Sequence, residues 1–244
     1  MIKAVLFDID NTLILFDENS FFESYLKKLT PRFTDFFTPE IFRERLIGAT
    51  RALLNNQGQT TNIDYYLSHF LQESENHREE IWNRFQQFYS EEFGKLKERV
   101  TVVEGVDSLL TSIHCRGTRL VAASNPLWPL SIQSMRLAWA GVNDLPYSMI
   151  THIGNTSYCK PQPEFYLEIS RTIGVDPEGC LMVGNDPLND MIAGEIGMKT
   201  YLTTDSQEHG TSFFTLSERI RHHGIETLPD PDFTGALIDV ITVL

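Results

Sequence analysis

The pattern of apolar and polar positions divides the chain into stretches of different character. Residues 2–7 are mostly apolar and predict a strand buried on both faces of a sheet. Between residues 17 and 98, apolar positions recur with helical spacing, interrupted at Pro31, at Pro39 and at residues 57–61. Beyond this block, short apolar runs alternate with amphipathic segments. The pattern therefore predicts an all-helical block inserted into an α/β chain.

The second half of the chain predicts helices and strands in alternation. Predicted helices cover residues 106–117, 131–141, 163–174 and 189–197, and predicted strands cover residues 118–125, 147–154, 179–186 and 198–204. Alternation of this kind indicates a mostly parallel sheet with helices on both faces. Residues 205–233 are more irregular and predict one or two further helices, and residues 230–244 predict a closing helix.

These elements predict an α/β fold with two unequal domains. The parallel-sheet core is assigned to residues 1–15 and 99–244, and the inserted all-helical domain to residues 16–98. Aromatic residues of the insertion recur at helical spacing, which favours a core of their own over contact with a ligand. They are Phe21, Phe22, Tyr25, Phe36, Phe37, Tyr65, Tyr66, Trp82, Phe85 and Phe88.

Composition narrows the classes of partner. The chain has 244 residues, 41% of them hydrophobic, and a net charge of −13 without a Lys/Arg-rich run, which argues against nucleic acid and anionic membranes as partners. No apolar window approaches the roughly 18 residues of a membrane helix, and the N-terminus lacks the pattern of a signal peptide. Three widely spaced cysteines, Cys115, Cys159 and Cys180, favour a reducing compartment, so we expect a cytoplasmic protein without disulfides.

Polar residues stand where three of the predicted strands end. They are Asp8 and Asp10, Ser124 and Asn125, and Asp186 followed by Asp190. In parallel sheets of this kind, ligands bind outside the carboxyl ends of the strands. If the predicted fold is correct, these side chains converge on one site.

Carboxylates in this arrangement suit phosphoryl transfer. Asp8 is a candidate nucleophile that would form an aspartyl-phosphate. Asp10 lies on the same side of an extended chain and is a candidate general acid and base. Asp186 and the Asp8 side chain are candidate ligands for Mg²⁺, which would offset the repulsion between the acids.

Further residues are candidates for binding the phosphate. Lys160 would add a second positive charge, and Ser124, Asn125 and Thr12 would donate hydrogen bonds to phosphate oxygens. Each residue alone also has an ordinary explanation, as turn residues, a surface lysine or acids at a helix start. Their common placement at strand ends favours the functional interpretation.

Four segments, in this order, resemble the motifs of the haloacid dehalogenase (HAD) superfamily. They are FDIDNTL (residues 7–13), VAASN (121–125), KPQPEFY (160–166) and VGNDPLND (183–190). The resemblance implies a Rossmann-like core, a Mg²⁺-dependent phosphohydrolase site, and an insertion similar to the helical C1-type cap. A cap of this kind closes over the site and excludes water and large substrates.

The resemblance also implies a role for individual residues. It makes Asp8 the nucleophile and Asp10 the general acid and base. Mg²⁺ contacts are expected from Asp8, from the backbone carbonyl of Asp10 and from Asp186. Ser124 and Lys160 are expected to bind phosphate.

The fourth motif departs from the usual family pattern. Asn185 stands between Gly184 and Asp186, where many members place the acid directly after the glycine. Asn185 is therefore a supporting candidate near the metal. Asp190 is the second supporting candidate, near Lys160 or the metal.

The resemblance favours a phosphatase acting on a small phosphorylated metabolite. Dehalogenases of the family generally lack an acid at the position of Asp10. An acid there suits a phosphate ester, because it can protonate the alkoxide leaving group. A sugar-phosphate mutase of the β-phosphoglucomutase type shares the same motifs and remains an alternative. A catalytically silent binding protein on the same fold is the second alternative. No pattern in the chain indicates a particular oligomeric state.

Three residues stand where the chain leaves the core for the insertion. We expect Phe16, Asp17 and Glu18 to form the hinge and the rim of the site. Asp17 and Glu18 also suit the first turn of the first helix of the insertion.

Overall fold

The computed structural model describes residues 1–206 and 227–244. The α-helices are α1 (Glu18–Leu29), α2 (Pro39–Leu53), α3 (Asn62–Leu71), α4 (Arg78–Glu91), α5 (Val106–Cys115), α6 (Leu130–Trp139) and α7 (Pro163–Ile173). The strands are β1 (Ala4–Phe7), β2 (Ile14–Leu15), β3 (Thr101–Val102), β4 (Arg119–Ala122), β5 (Tyr147–Ile150), β6 (Cys180–Gly184), β7 (Lys199–Thr203) and β8 (Phe233–Gly235).

A six-stranded sheet forms the centre of the fold, with strand order β5-β4-β1-β6-β7-β8. All neighbouring strands are parallel, and Phe7 at the end of β1 lies level with Ala122 of β4 and Val183 of β6. The strand ends that carry the candidate residues are therefore neighbours in the sheet. The α/β fold with a Rossmann-like parallel sheet is confirmed.

Helices cover both faces of this sheet. Val5 and Phe7 of β1 belong to one hydrophobic cluster, which includes α5 and α6, and Ala4 and Leu6 belong to a second, which includes α7. Successive residues of a strand point to opposite faces, so a run of four apolar residues is needed where both faces are covered. This is why Ala4–Phe7 lacks alternating polar positions.

The inserted block consists of α1 to α4 and is joined to the core by a short ribbon. Strands β2 and β3 pair antiparallel, with Ile14 opposite Val102, so the two ends of the insertion lie side by side. Most of its aromatic rings are buried, as predicted. Phe33 stacks on Phe42 and lies tilted against Phe85, with a centroid distance of 4.7 Å in both pairs. Burial of so many large rings dominates the energetics of the block.

Local sequence sets where the helices of the block begin. The Asp17 carboxylate accepts a hydrogen bond of 2.6 Å from the Ser20 N–H, and the Thr38 hydroxyl accepts one of 3.4 Å from the Ile41 N–H. Side chains of this type satisfy N–H groups that have no partner within the helix. The expectation that Asp17 starts a helix is confirmed.

Two predictions for the C-terminal half need correction. Residues 189–197 form no α-helix but contain a short 3₁₀ helix, Met191–Ile196. Residues 230–244, predicted as a closing helix, form β8 and a 3₁₀ helix, Leu237–Thr242. The predicted helices within residues 207–226 lie outside the described residues.

Pairing at the sheet edge explains the second correction. Strand β8 lies parallel to β7, with Phe233 opposite Tyr201 and Gly235 opposite Thr203. The Asp232 carboxylate also accepts a hydrogen bond of 2.9 Å from the Thr200 N–H. These contacts with a distant strand override the local apolar spacing.

Within residues 1–206 and 227–244, no helix has both the length and the apolar character needed to span a bilayer. All three cysteines are free thiols, and Cys159 and Cys180 are buried.

Candidate functional site

The carboxyl ends of β1, β4 and β6 open into one cavity of about 110 Å³. Core and insertion both contribute to its wall. The lining residues are Asp8, Asp10, Phe16, Glu18, Phe21, Phe22, Ser124, Asn125, Leu127, Trp128, Arg136, Lys160, Asn185, Asp186, Asn189 and Asp190. The structure therefore brings together eight of the nine residues proposed from the sequence.

Lys160 is the centre of the charged part of this cavity. Its ammonium donates hydrogen bonds of 2.9 Å to Asp8 Oδ1 and 2.6 Å to Asp190 Oδ1. Lys160 is 2% exposed, Asp8 8% and Asp190 1%, so solvent screens the three charges little. Lys160 reaches the site from the segment before α7, which explains how a residue distant in sequence neutralises the acid after β1.

Burial and ion pairing shift the pKa values of Lys160 and Asp190 in opposite directions. Burial lowers the pKa of Lys160, but the Asp190 and Asp8 carboxylates outweigh it, so the pKa lies above the usual lysine value. Burial raises the pKa of Asp190, and Lys160 opposes that rise. The contacts thus keep a charged lysine in a nearly solvent-free position.

The loop after β6 is fixed by its own acids. Asp186 Oδ1 accepts hydrogen bonds of 2.9 Å and 2.8 Å from the Leu188 and Asn189 N–H groups. Asp190 Oδ2 in turn accepts one of 2.9 Å from the Asp186 N–H. Asp190 also packs so closely on Gly184 that a Cβ there would lie 2.1 Å from Asp190 Oδ2. Glycine at the end of β6 is therefore required for the position of Asp190.

Sequence reasoning missed Arg136. Its guanidinium forms an ion pair with the Asp10 carboxylate, and the arginine side chain is only 2% exposed. Burial lowers the pKa of Arg136 to about 10, which still leaves the group charged at neutral pH. A signal was present in the sequence, because Arg136 shares the buried face of α6 with Ile132 and Leu137, where a charged side chain is unusual.

A chain of hydrogen bonds connects Arg136 to the loop that carries Ser124. Arg136 donates to Gln133 Oε1 at 2.5 Å, and Gln133 donates to the Thr151 carbonyl at 2.9 Å. The Thr151 hydroxyl donates to the Ser124 carbonyl at 2.6 Å. All four residues are buried. The arrangement ties the position of Asp10 to that of a candidate phosphate-binding loop.

Thr12 occupies a different place from its predicted partners. It is fully buried, and its hydroxyl donates to Asn185 Oδ1 at 3.4 Å rather than lining the cavity. Asn185 itself lines the cavity, as do Ser124 and Asn125 in the loop after β4. The observed contact of Thr12 supports the loop after β6 from beneath.

The insertion supplies the outer wall of the cavity. Four residues at the start of the block line the cavity together with Trp128 of the core: Phe16, Glu18, Phe21 and Phe22. The structure therefore places two of the three predicted hinge and rim residues, Phe16 and Glu18, at the cavity. Glu18 accepts a hydrogen bond of 3.4 Å from the Asn11 side chain, which follows Asp10.

Oxygen atoms of Asp8, Asp10 and Asp186 are the candidate ligands for a metal ion. Within residues 1–206 and 227–244, no three His, Cys, Asp or Glu side chains form a cluster of the kind that holds an ion by themselves. Mg²⁺ commonly takes only one or two protein carboxylates and completes its shell with water and phosphate oxygens. The two carboxylates of Asp8 and Asp186 suit such a partial site.

Comparison with known proteins identifies the family. A family model described as a hydrolase, haloacid dehalogenase-like hydrolase, matches residues 2–196. The chain belongs to the haloacid dehalogenase-like hydrolases. The expectation of an enzyme of this superfamily, inferred from the four motifs, is confirmed, and the matched span includes the whole helical insertion.

Individual relatives of this hydrolase are distant. A bifunctional riboflavin kinase/FMN phosphatase from Arabidopsis thaliana is 24% identical over 220 residues, which cover 89% of the chain and 52% of the relative. The hydrolase chain thus spans about half the length of the curated relative it matches.

Solved structures share the fold of this hydrolase. One is described as a predicted phosphoglycolate phosphatase from Haemophilus somnus, with 16% identity, coverage of 99% and 97% of the two chains, and a TM-score of 0.57. Another is an L-2-haloacid dehalogenase from Xanthobacter autotrophicus with chloropropionic acid covalently bound, with 18% identity, coverage of 100% and 98%, and a TM-score of 0.56. Because these two proteins have different named activities, the shared fold does not determine which reaction this hydrolase catalyses.

Proposed function

We propose that this hydrolase cleaves a small phosphate monoester through an aspartyl-phosphate formed on Asp8. The observation that carries the proposal is the position of Asp8, which lies 2.9 Å from the Lys160 ammonium in a cavity also lined by Asp10 and Asp186. A carboxylate beside a buried cation is suited to attack a phosphate whose negative charge would otherwise repel it.

In the first half-reaction, an Asp8 carboxylate oxygen attacks phosphorus and the ester P–O bond breaks. Asp10 gives its proton to the departing alkoxide, so the alcohol leaves neutral. Lys160 binds the phosphoryl oxygens and stabilises the charge that develops on them. Asp190 holds Lys160 in place from the other side, at 2.6 Å.

In the second half-reaction, Asp10 takes a proton from water, and the water oxygen attacks the phosphorus of the aspartyl-phosphate. The bond to Asp8 breaks, and inorganic phosphate and the free carboxylate are restored. Ser124 and Asn125 donate hydrogen bonds to phosphate oxygens at the end of β4. Asn185 and Asp190 have supporting roles through the loop after β6.

The residues present fit a Mg²⁺ ion. We propose that Asp8, the Asp10 carbonyl and Asp186 hold it, because hard oxygen donors are what Mg²⁺ prefers. Two backbone N–H groups fix the Asp186 carboxylate at the edge of the cavity, which suits it for this role. When bound, Mg²⁺ would lower the repulsion between the acids and the phosphate and stabilise negative charge in transfer.

The carboxyl group of Asp10 favours a phosphatase over a dehalogenase. A halide departs without a proton, whereas an alkoxide is a poor leaving group that needs one. The relative from A. thaliana carries an FMN phosphatase in its description, which supports the same class of reaction. We propose that α1 to α4 act as a cap that restricts the site to small metabolites, and that the enzyme is cytoplasmic, where free thiols such as its three cysteines persist.

The test is phosphate release from a panel of phosphorylated metabolites and p-nitrophenyl phosphate. Wild type and Asp8→Asn are compared in Mg²⁺ and in EDTA, with Asp107→Asn on the exposed side of α5 as a matched control. We expect release by wild type and by the control in Mg²⁺ only, and none above background from Asp8→Asn. Trapping of acid-stable label from ³²P-substrate on wild type, but not on Asp8→Asn, would identify the covalent intermediate.

Two outcomes would overturn the proposal. Turnover by Asp8→Asn comparable to wild type would exclude the covalent step. Absence of phosphate release together with interconversion of two sugar phosphates would replace the hydrolase by the mutase alternative.

A further inference from the structure

A second, smaller cavity of about 40 Å³ lies between the insertion and the core. All four helices of the insertion and the segment before α6 contribute to its wall. The lining residues are Phe22, Tyr25, Leu46, Thr50, Tyr66, Trp82, Tyr89, Leu127, Trp128, Pro129 and Ile153. We name it the tyrosine pocket. Every described residue that lines it is uncharged.

Three phenol hydroxyls give the tyrosine pocket its polar character. Tyr25, Tyr66 and Tyr89 come from α1, α3 and α4 and are 3%, 8% and 7% exposed. Burial raises the pKa of all three, and the hydroxyls of Tyr25 and Tyr89 interact directly. Tyr66 lines the pocket, and its phenol hydroxyl can both donate and accept a hydrogen bond. Buried hydroxyls normally find partners, so a cavity beside this one is a place for a ligand atom.

The tyrosine pocket adjoins the phosphate cavity. Phe22, Leu127 and Trp128 line both cavities and so mark the place where the two adjoin. The Trp128 ring meets Tyr25 edge-on at a centroid distance of 5.1 Å and Tyr89 at 6.1 Å. A group attached to the phosphate therefore meets Trp128 first and the tyrosines beyond it.

We propose that the tyrosine pocket binds the far end of the substrate's leaving group and selects uncharged ends that carry a hydroxyl or carbonyl. This inference rests on the proposed phosphatase function, because it concerns the part of the same substrate that departs as the alcohol. The substrate class is a phosphomonoester with an apolar or ring-shaped middle, which packs on Trp128 and Phe22, and a neutral hydrogen-bonding tip.

Charge and size both support this class. An ionised carboxylate or second phosphate placed among uncharged buried side chains would lose its hydration without gaining a counter-ion. A hydroxyl or carbonyl would instead pair with the Tyr66 hydroxyl. The volume of about 40 Å³ exceeds the ~10–15 Å³ that one water needs, and so holds a few atoms, not a nucleotide base.

Three aryl phosphates test the inference, because they differ only at the atom group opposite the phosphate. They are 4-(hydroxymethyl)phenyl phosphate, 4-methylphenyl phosphate and 4-carboxyphenyl phosphate. For wild type we expect kcat/KM to be highest for the hydroxymethyl ester and at least about tenfold lower for the carboxyphenyl ester. Phosphate release is measured for each, with Asp8→Asn as the background.

Removal of one tyrosine hydroxyl then tests which residue recognises the tip of the substrate. Tyr66→Phe should lower the preference for the hydroxymethyl over the methyl ester by about threefold to tenfold, the usual effect of one hydrogen bond. Activity of the variant on the methyl ester shows that it is folded, and Tyr89→Phe provides a second variant. Tyr65→Phe is the matched control, since Tyr65 neighbours Tyr66 on α3 but stacks on His69 outside the pocket. Its preference should equal that of wild type.

The outcomes separate this inference from the function on which it rests. Release that depends on Asp8 but is equal for the three esters, or a preference unchanged by both Tyr66→Phe and Tyr89→Phe, would overturn the tyrosine pocket as the recognition site and leave the phosphatase intact. Release from none of the esters or panel substrates would overturn the proposed function, and the inference with it.

Discussion

The guanidinium of Arg136 lies directly against the carboxylate of Asp10. Asp10 is the residue proposed to give and take a proton, so it must keep one orientation through both half-reactions. Its side chain is 32% exposed, whereas that of Arg136 is 2% exposed. The buried, hydrogen-bonded arginine is thus the fixed member of the pair, and it holds the more accessible Asp10 carboxylate in place.

Replacement of Arg136 should therefore affect catalysis more than substrate binding. Arg136→Lys keeps the charge but loses the planar fork that contacts both Asp10 and Gln133. We expect kcat to fall about 10²-fold, the usual effect of a misplaced catalytic group, with KM changed less than about threefold. Steady-state kinetics on p-nitrophenyl phosphate measure both parameters.

The control for this prediction is Arg116→Lys. Arg116 follows α5, donates to the Ile241 carbonyl on the surface and does not line the cavity. Its kinetics should match wild type. A rise in KM at constant kcat in Arg136→Lys would contradict a positioning role and indicate that Arg136 binds substrate directly.

A methyl group at position 184 should displace Asp190. The added Cβ of Gly184→Ala would lie 2.1 Å from Asp190 Oδ2, 2.3 Å from its Cγ and 2.8 Å from its Cβ, so the whole Asp190 side chain has to shift. Loss of its contact with Lys160 should lower kcat at least about 10²-fold, and overpacking should cost about 1–3 kcal/mol of stability. Kinetics and chemical denaturation test the two effects.

Gly194→Ala is the matched control in the following segment. There the Cβ would meet Thr200 Cγ2 at 3.7 Å, an ordinary contact. Activity should remain within about twofold of wild type. Full activity in Gly184→Ala would show that Asp190 is not needed to hold Lys160.

The residues that follow strand ends could be predicted from the sequence, and the reason is geometric. Asp8 directly follows the apolar run of β1, and Asp186 follows that of β6 after Asn185, and parallel strands bring their carboxyl ends to one edge of a sheet. The motif pattern then placed Lys160 in the same site. This prediction needs no knowledge of packing, because the spacing of apolar positions and the order of the elements can both be read along the chain.

What was missed depends on contacts between distant segments. Arg136 reaches Asp10 only because α6 packs so that its buried face meets the residues after β1, and helical spacing alone does not reveal that neighbour. The C-terminal strand β8 forms because β7 offers it a free edge, which overrides the helical spacing of its sequence. The tyrosine pocket likewise requires four helices to meet.

One further distant contact joins the insertion to the loop that carries Lys160. Asn62, at the start of α3, donates to Thr156 Oγ1 and to the Tyr158 carbonyl, both at 3.0 Å. Its Oδ1 accepts a hydrogen bond of 2.9 Å from Asn56. Asn62 is fully buried, so each of these contacts is shielded from water.

Asn62→Ala should loosen this junction. The change removes the hydrogen bonds of Asn62 with Thr156, Tyr158 and Asn56, each worth about 0.5–1.5 kcal/mol, while the Asn56 amide keeps its bond to the Thr60 carbonyl. We expect a loss of about 2–4 kcal/mol in the free energy of unfolding, measured by urea denaturation, and a lower kcat because Lys160 follows Tyr158 closely. Asn55→Ala, whose side chain donates to Arg51 on the surface, should stay within about 0.5 kcal/mol of wild type. Equal stability of the two variants would show that the hydrogen bonds of Asn62 do not stabilise the protein.

The exposed face of α2 offers a stabilising change that leaves the site untouched. Gly48 lies within Pro39–Leu53, and a Cβ at this position would meet no atom within 4 Å. Alanine restricts the unfolded chain more than glycine and suits a helix interior better, by about 0.5–1 kcal/mol. Gly48→Ala should therefore raise the melting temperature by about 1–4 °C, as measured by thermal unfolding, with kcat/KM unchanged. A lower melting temperature would mean that α2 needs the flexibility of glycine at this point, and altered kinetics would mean that the exposed face of α2 communicates with the cavity.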